Sequence, residues 1–216
     1  MGRLSVLLAV GAVLAIQLTS SSQHGFTAQC FNDQCRVVAA TSFIGLVTSA
    51  GLAGFLFLYP QLASDVFAAE PVKLWKRGIA FYIDFMISLS ILAPIATMPL
   101  LLEEAHATGS FAWSFARDFA RSTDAMLAVP SIIVMFIALF LYFYIHLRLG
   151  RQTIGQYLMG FRIEAEPGKA PNLFLNVFLS WIGMCMWPFA LYGAAKHPQK
   201  LFWWNVQTDT RVIPAI

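Results

Sequence analysis

From Gly78 to Leu102 the chain runs through 25 residues with one charged side chain, Asp84, and it enters that run from the basic cluster Lys73, Lys76 and Arg77. As a helix rising about 1.5 Å per residue, the run would be roughly 37 Å long, enough to cross the ~30 Å hydrocarbon core of a bilayer. In lipid every backbone N–H and C=O must be paired within the protein, and a helix does this within one segment. Four further apolar runs occupy residues 4–19, 37–59, 127–147 and 172–195. Charged residues make up 12% of the chain and mean hydropathy is +0.67. A soluble domain carries about 25% charged residues, so this chain has too few to coat a globular surface. The expected fold class is all-α: a polytopic helical membrane protein with about five transmembrane helices. The net charge of +3 is spread out, without the basic stripe that nucleic-acid binding needs, so that partner class is excluded.

The first run, "LSVLLAVGAVLAIQLTSSS" after Arg3, has the short core and small-residue flank of a secretory signal peptide. It reads equally as a short signal anchor and is taken here as a retained first span. With the N-terminus inside, Arg3, Lys73, Lys76, Arg77, Arg148, Arg151, Arg162 and Lys169 fall on the inner side, against Arg36, Arg117 and Arg121 outside. That asymmetry follows the positive-inside rule. Residues 1–70 then form an N-terminal transmembrane hairpin with a small outer loop containing Cys30 and Cys35, and residues 71–216 a second membrane domain. In an oxidising outer compartment these two cysteines allow a loop-closing disulfide; the other reading is two unlinked thiols.

The segment from Glu103 to Met126 places Phe111, Phe115 and Phe119 four residues apart, with Arg117, Asp118 and Arg121 elsewhere on the wheel. This spacing predicts an amphipathic helix lying in the interface. The fifth run carries Pro188 between Gly183 and Gly193. It fits either one span or, as favoured here, a bent or re-entrant pair of short helices.

Asp84 is the one clear charge deep in a span. A carboxylate at the bilayer centre costs about 2.5–3.5 kcal/mol on insertion scales and calls for a partner. Arg77 lies seven residues earlier on nearly the same face, roughly 10.5 Å away along the axis, too far for direct pairing. Ser88 extends the stripe, and Ala80 keeps it open for a neighbouring helix. His146, Tyr142, Asn176 and Asn205 are polar groups placed to face it. Two readings follow: a polar clamp that packs helices, or an ion or proton site at Asp84.

Two further stretches stand out. "GRQTIGQYLMGFRI" reads as a short helix or turn leading into an extended "FRIEAE" closed by a "PGK" turn. The tail "WNVQTDTRV" makes a dense polar turn after Trp203 and Trp204. With "KRGIAFYIDFMI", these pieces in this order resemble the RDD family of multi-pass membrane proteins, over about residues 72–213. The resemblance rests on Arg77 and Asp84; on Gly150, Gln152, Thr153, Gly155, Gly160, Arg162 and Ile163, with Arg151 inserted; and on Trp204, Thr210 and Val212. The family's second aspartate falls on Asn205, which keeps a hydrogen-bonding amide and loses the charge. The departure favours a structural role, in which Asp84 becomes a hydrogen-bonded joint between the third span and the tail.

The resemblance implies a multi-pass protein of a bacterial inner (cytoplasmic) membrane. Accessory roles in membrane complexes and transport, including sodium–proton exchange, are the activities associated with such proteins. The expected function is therefore a non-catalytic accessory or structural subunit, with lipid and other membrane subunits or a second copy as partners. The alternative is a small cation or proton exchanger using Asp84. Small residues at Thr41, Gly45, Ser49 and Ala53, and at Gly11 and Ala15, allow close helix approach, either to a partner or within the chain. No G-x-S-x-G elbow, H-E-x-x-H pair or G-x-G-x-x-G loop occurs, so no enzyme activity, metal or cofactor is expected. His24, His106, His146 and His197 are scattered.

Overall fold

The computed structural model describes residues 25–31, 34–58, 71–119 and 129–214, together with helical residues 5–8, 11, 12 and 15. The expected span over residues 4–19 therefore lies largely outside the described residues. Two helices are long and apolar enough to cross a membrane: α2 (Leu74–Thr108) and α3 (Val129–Arg148). The run at 172–195 forms α5 (Leu173–Cys185) and α6 (Trp187–Lys196), bent by 110°, which is the geometry of a broken span or a re-entrant pair. Pro188 sits in the first turn of α6, where its missing N–H has no intrahelical role. Among the described residues there are thus two spans, or three if the bent pair counts as one, rather than five.

The chain divides into two compact units. One comprises Met1–Ala9, Tyr59–Met86 and Phe140–Ile216; the other comprises Val10–Leu58 and Ile87–Leu139. Both contain strands, which corrects the all-α expectation to a mostly helical fold with small sheets.

The second unit carries a three-stranded antiparallel sheet of β1 (Gly25–Phe31), β2 (Gln34–Ala40) and β3 (Ser114–Phe119) in that order. Two expectations fail here. The apolar run at 37–59 opens as β2, and only Phe43–Leu58 is helical (α1), 16 residues and short of a full crossing. The interfacial helix expected around Phe111, Phe115 and Phe119 is instead β3, paired with β2 so that Phe115 lies opposite Ala39. A spacing of four is even, so a strand also places such residues on one face. Val37, Ala39, Leu100 and Leu101 form a buried core on which Phe26, Met98 and Phe115 pack, and Arg117 pairs with Glu104 at 3.1 Å. Burial of this sheet face outweighs helix propensity in a segment too short to be stable as an isolated helix. Cys30 and Cys35 are register partners across the β1–β2 pair, and Cys35 is in a disulfide while Cys185 is free. In the small-residue stripe that runs into α1, Thr41, Gly45 and Ser49 are buried within the chain and Ala53 is half-buried.

In the first unit, the first third of α2 and the C-terminal half of α3 accompany α4 (Ile154–Met159), β4 (Phe161–Ala165), α5, α6, α7 (Trp203–Gln207) and β5 (Thr210–Pro214). β4 and β5 pair antiparallel, with Glu164 opposite Arg211. Gly160 closes α4 at φ +73°, a left-handed cap that glycine adopts without strain, and the chain turns directly into β4. Val72, Ala80 and Phe161 form one buried cluster, and Ala190, Ala194, Phe202 and Trp204 another.

Candidate functional site

Arg77 and Asp84, with Ala80 between them, sit on one buried stripe of α2, at 7%, 1% and 1% exposure for Arg77, Ala80 and Asp84. The two charged groups hold different parts of the unit, so the expected clamp divides into two joints.

Asp84 receives three donors. Gly155 N–H reaches Oδ1 at 2.8 Å, Tyr142 O–H reaches Oδ1 at 3.0 Å, and Thr153 O–H reaches Oδ2 at 2.5 Å. All three close the start of α4 against α2 and α3. Thr153 is the N-cap of α4: its Oγ1 accepts from Gln156 N–H while the Gln156 side chain accepts from Thr153 N–H, a capping box. Because Oγ1 accepts from the helix, its own hydrogen is free to go to Asp84. Tyr142 acts in the same two-way manner, accepting from Ile154 N–H at 3.2 Å. The N–H groups of Ile154, Gly155 and Gln156, which a helix start leaves without intrahelical partners, are thus taken by Tyr142, Asp84 and Thr153. A carboxylate at this end of a helix is also favoured by the backbone dipoles. Gly155 is required by space: a Cβ there would lie 2.0 Å from the Ala80 carbonyl oxygen. Ala80 and Gly155 let the two backbones touch, and that contact places the Gly155 N–H on the carboxylate.

Arg77 makes the second joint. Its Nη1 donates to Lys200 O and its Nη2 to Asn205 Oδ1, both at 2.7 Å, and its guanidinium lies 4.1 Å from the centre of the Phe202 ring. Phe202 stacks on Trp204 at 4.3 Å. Trp204 in turn covers Gly183, where a Cβ would lie 2.1 Å from the indole. Lys200 adopts φ +54°.

Asn205, fully buried, faces both ways, accepting from Arg77 and donating through Nδ2 to Thr210 Oγ1 at 3.0 Å. Asn176 of α5 donates to Thr208 Oγ1 at 2.7 Å and Thr210 Oγ1 at 2.9 Å. Thr208 O–H donates to Trp204 O. The tail is thereby knotted to α5 as well as to α2.

The remaining sequence candidates hold the frame. Gln152 Nε2 donates to Phe161 O at 2.8 Å, tying the approach to α4 to β4. Arg162 pairs with Glu164 at 3.2 Å, and Glu164 also accepts from Arg211 across the strand pair. Outside the spanning helices, Lys169 is held above the ordinary lysine range by Asp209 and Glu166. His146 Nδ1–H donates to Tyr142 O within its own helix.

Asp84 therefore meets Thr153, Gly155 and Tyr142 and has no bond to Asn205; the tail is fastened by Arg77. The sequence reading missed the Lys200 carbonyl and the Phe202 face. Phe202 had a signal, an aromatic two residues from Trp204 in the motif tail, whereas a backbone carbonyl leaves none. Among the described residues no group of three His, Cys, Asp or Glu is arranged to hold a metal.

The model of the RDD family matches the chain over residues 71–195, more than half of its length. Comparison with curated proteins and with solved structures gave no match.

Proposed function

The chain belongs to the RDD family, and on that premise we propose that it is a non-catalytic accessory subunit of a larger membrane assembly, with Arg77 and Asp84 as its internal joints. The observation that carries this reading is the commitment of Asp84. Three donors from two other elements occupy its oxygens, and they cap a helix start that would otherwise be left unpaired. Removing the acid would open the fold rather than empty a site. The β1–β2–β3 sheet supports the subunit role, since β1 and β3 each keep one edge unpaired among the described residues and available to a partner strand.

Gentle solubilisation followed by sizing of the native particle tests the proposal. A stoichiometric complex with other membrane proteins supports it, and a particle containing only this chain overturns it. The second reading, a small cation or proton exchanger, is favoured by one observation: Asp84 lines a cavity. It requires cation-driven proton flux in proteoliposomes of the pure protein, lost in Asp84→Asn. Absence of flux in the parent removes it.

A further inference from the structure

Arg77 is a cation without an ion-paired acid. It is 93% buried by side-chain and backbone exposure together (7% exposed), and no ion pair links it to any carboxylate among the described residues. A guanidinium stays charged and offers five N–H donors. Two are used, on Lys200 O and Asn205 Oδ1, and both acceptors are neutral. The Phe202 face adds a cation–π contact and no charge. Burying a charge without a counter-charge is far costlier than burying a hydrogen-bonded dipole, so two carbonyl-type oxygens leave the cation undercompensated.

Arg77 lines a cavity of about 80 Å³ together with Asp84, Gln156 and Asn176, walled by Phe81 and Phe202. A single water needs roughly 10–15 Å³ on this measure, so the cavity has room for a monatomic anion that keeps some of its waters. Gln156, which also lines it, carries two amide N–H donors. Asp84 lines the same cavity, but its oxygens already accept three hydrogen bonds. Its charge repels an anion, so the ion belongs beside Arg77.

We infer that this cavity binds a small inorganic anion of the chloride class, which supplies the counter-charge that Asn205 does not. The site stands apart from the subunit proposal, because it is read from Arg77 and the cavity and not from any partner.

The test uses the full-length protein in detergent and follows thermal unfolding as sodium chloride replaces sodium gluconate at constant ionic strength. Gluconate is too large for the cavity. Saturable stabilisation is expected, with Tm about 3–5 °C higher at ten times the dissociation constant. Asn205→Asp places a carboxylate where the Arg77 Nη2 now meets a neutral oxygen, 2.7 Å away. That variant should fold with an internal ion pair and lose the chloride response. Arg77→Gln should lose it as well. Equal Tm in the two salts for the parent protein overturns the inference and leaves the cavity to water. A chloride response of the same size in parent and Asn205→Asp overturns it too, since the ion would then act elsewhere.

Discussion

Replacing Gly155 with alanine should be among the most damaging single-methyl additions in this protein. The new Cβ would lie 2.0 Å from the Ala80 carbonyl oxygen, 2.7 Å from the Ala80 carbonyl carbon and 2.8 Å from Asp84 Oδ2. Two of these atoms belong to helix backbone and cannot rotate aside, so α4 must lift away from α2 by more than an ångström. Overpacking of this kind costs about 1–3 kcal/mol. The lift also breaks the 2.8 Å bond from Gly155 N–H to the carboxylate, and a hydrogen bond to a charged group contributes about 1.5–3 kcal/mol. The expected loss is about 3–5 kcal/mol, or roughly 6–20 °C in the apparent Tm of a chain of this size. Differential scanning fluorimetry in detergent measures it. Gly78→Ala is the control: it lies in α2, the helix that Gly155 packs against, nothing stands within 4 Å of its Cβ, and alanine there should be neutral or slightly stabilising. A Gly155→Ala protein that melts within 1 °C of the parent would refute the claim that α4 and α2 are in backbone contact.

Asp84→Asn and Asp84→Ala should separate by stability. Asparagine keeps an acceptor for Gly155 N–H and can donate to Thr153 Oγ1, so the loss should be about 1–2 kcal/mol; alanine strands three buried donors and should lose about 4 kcal/mol or more, measured by the same melts. Gly183→Ala drives a methyl into the Trp204 indole, 2.1 Å away, and should lose about 1–3 kcal/mol with a shift in tryptophan emission as the Phe202–Trp204 stack moves. Thiol labelling followed by mass spectrometry should modify the exposed Cys185 without reductant and Cys35 only after reduction.

How far the sequence could be read depended on whether a pattern fits one structure or two. The 25 residues after Arg77 are too long for a strand and too apolar for a surface helix, and α2 covers them. Pro188 between glycines marked the bend in the fifth run, and "FRIEA" followed by "PGK" marked β4 and its turn. The outer sheet was not legible for the same kind of reason. "RVVAATSF" joins an apolar strand to an apolar helix through Thr41 and Ser42 alone, and apolar runs this short do not declare their period. In the site, residue identities were legible and pairings were not. Asp84 was expected to reach Asn205 because both are polar residues in the motif; the structure gives it Thr153 and Gly155, 69 and 71 positions along the chain. What decides that pairing is the close approach of Ala80 and Gly155, and a glycine in a sequence does not announce which backbone it admits.

The two joints are seven residues apart on one helix, and that spacing explains why the motif comes in three pieces. Seven residues make nearly two full turns, so Arg77 and Asp84 share a face while pointing at different levels. The lower level takes the tail, through Asn205 and Lys200; the upper takes the start of α4, through Thr153 and Gly155. Gly160 then turns the chain from α4 into β4, and β4 pairs with β5, which begins at Thr210 in the knot around Asn205. The path from one joint to the other is therefore closed: α2 to α4, α4 to β4, β4 to β5, β5 to Asn205, and back to α2 through Arg77. In a closed circuit each joint fixes the geometry of the other. Loss of Asp84 should therefore loosen Arg77 as well, and double mutants across the circuit, such as Thr153→Val with Asn205→Ala, should fall short of the sum of the single losses.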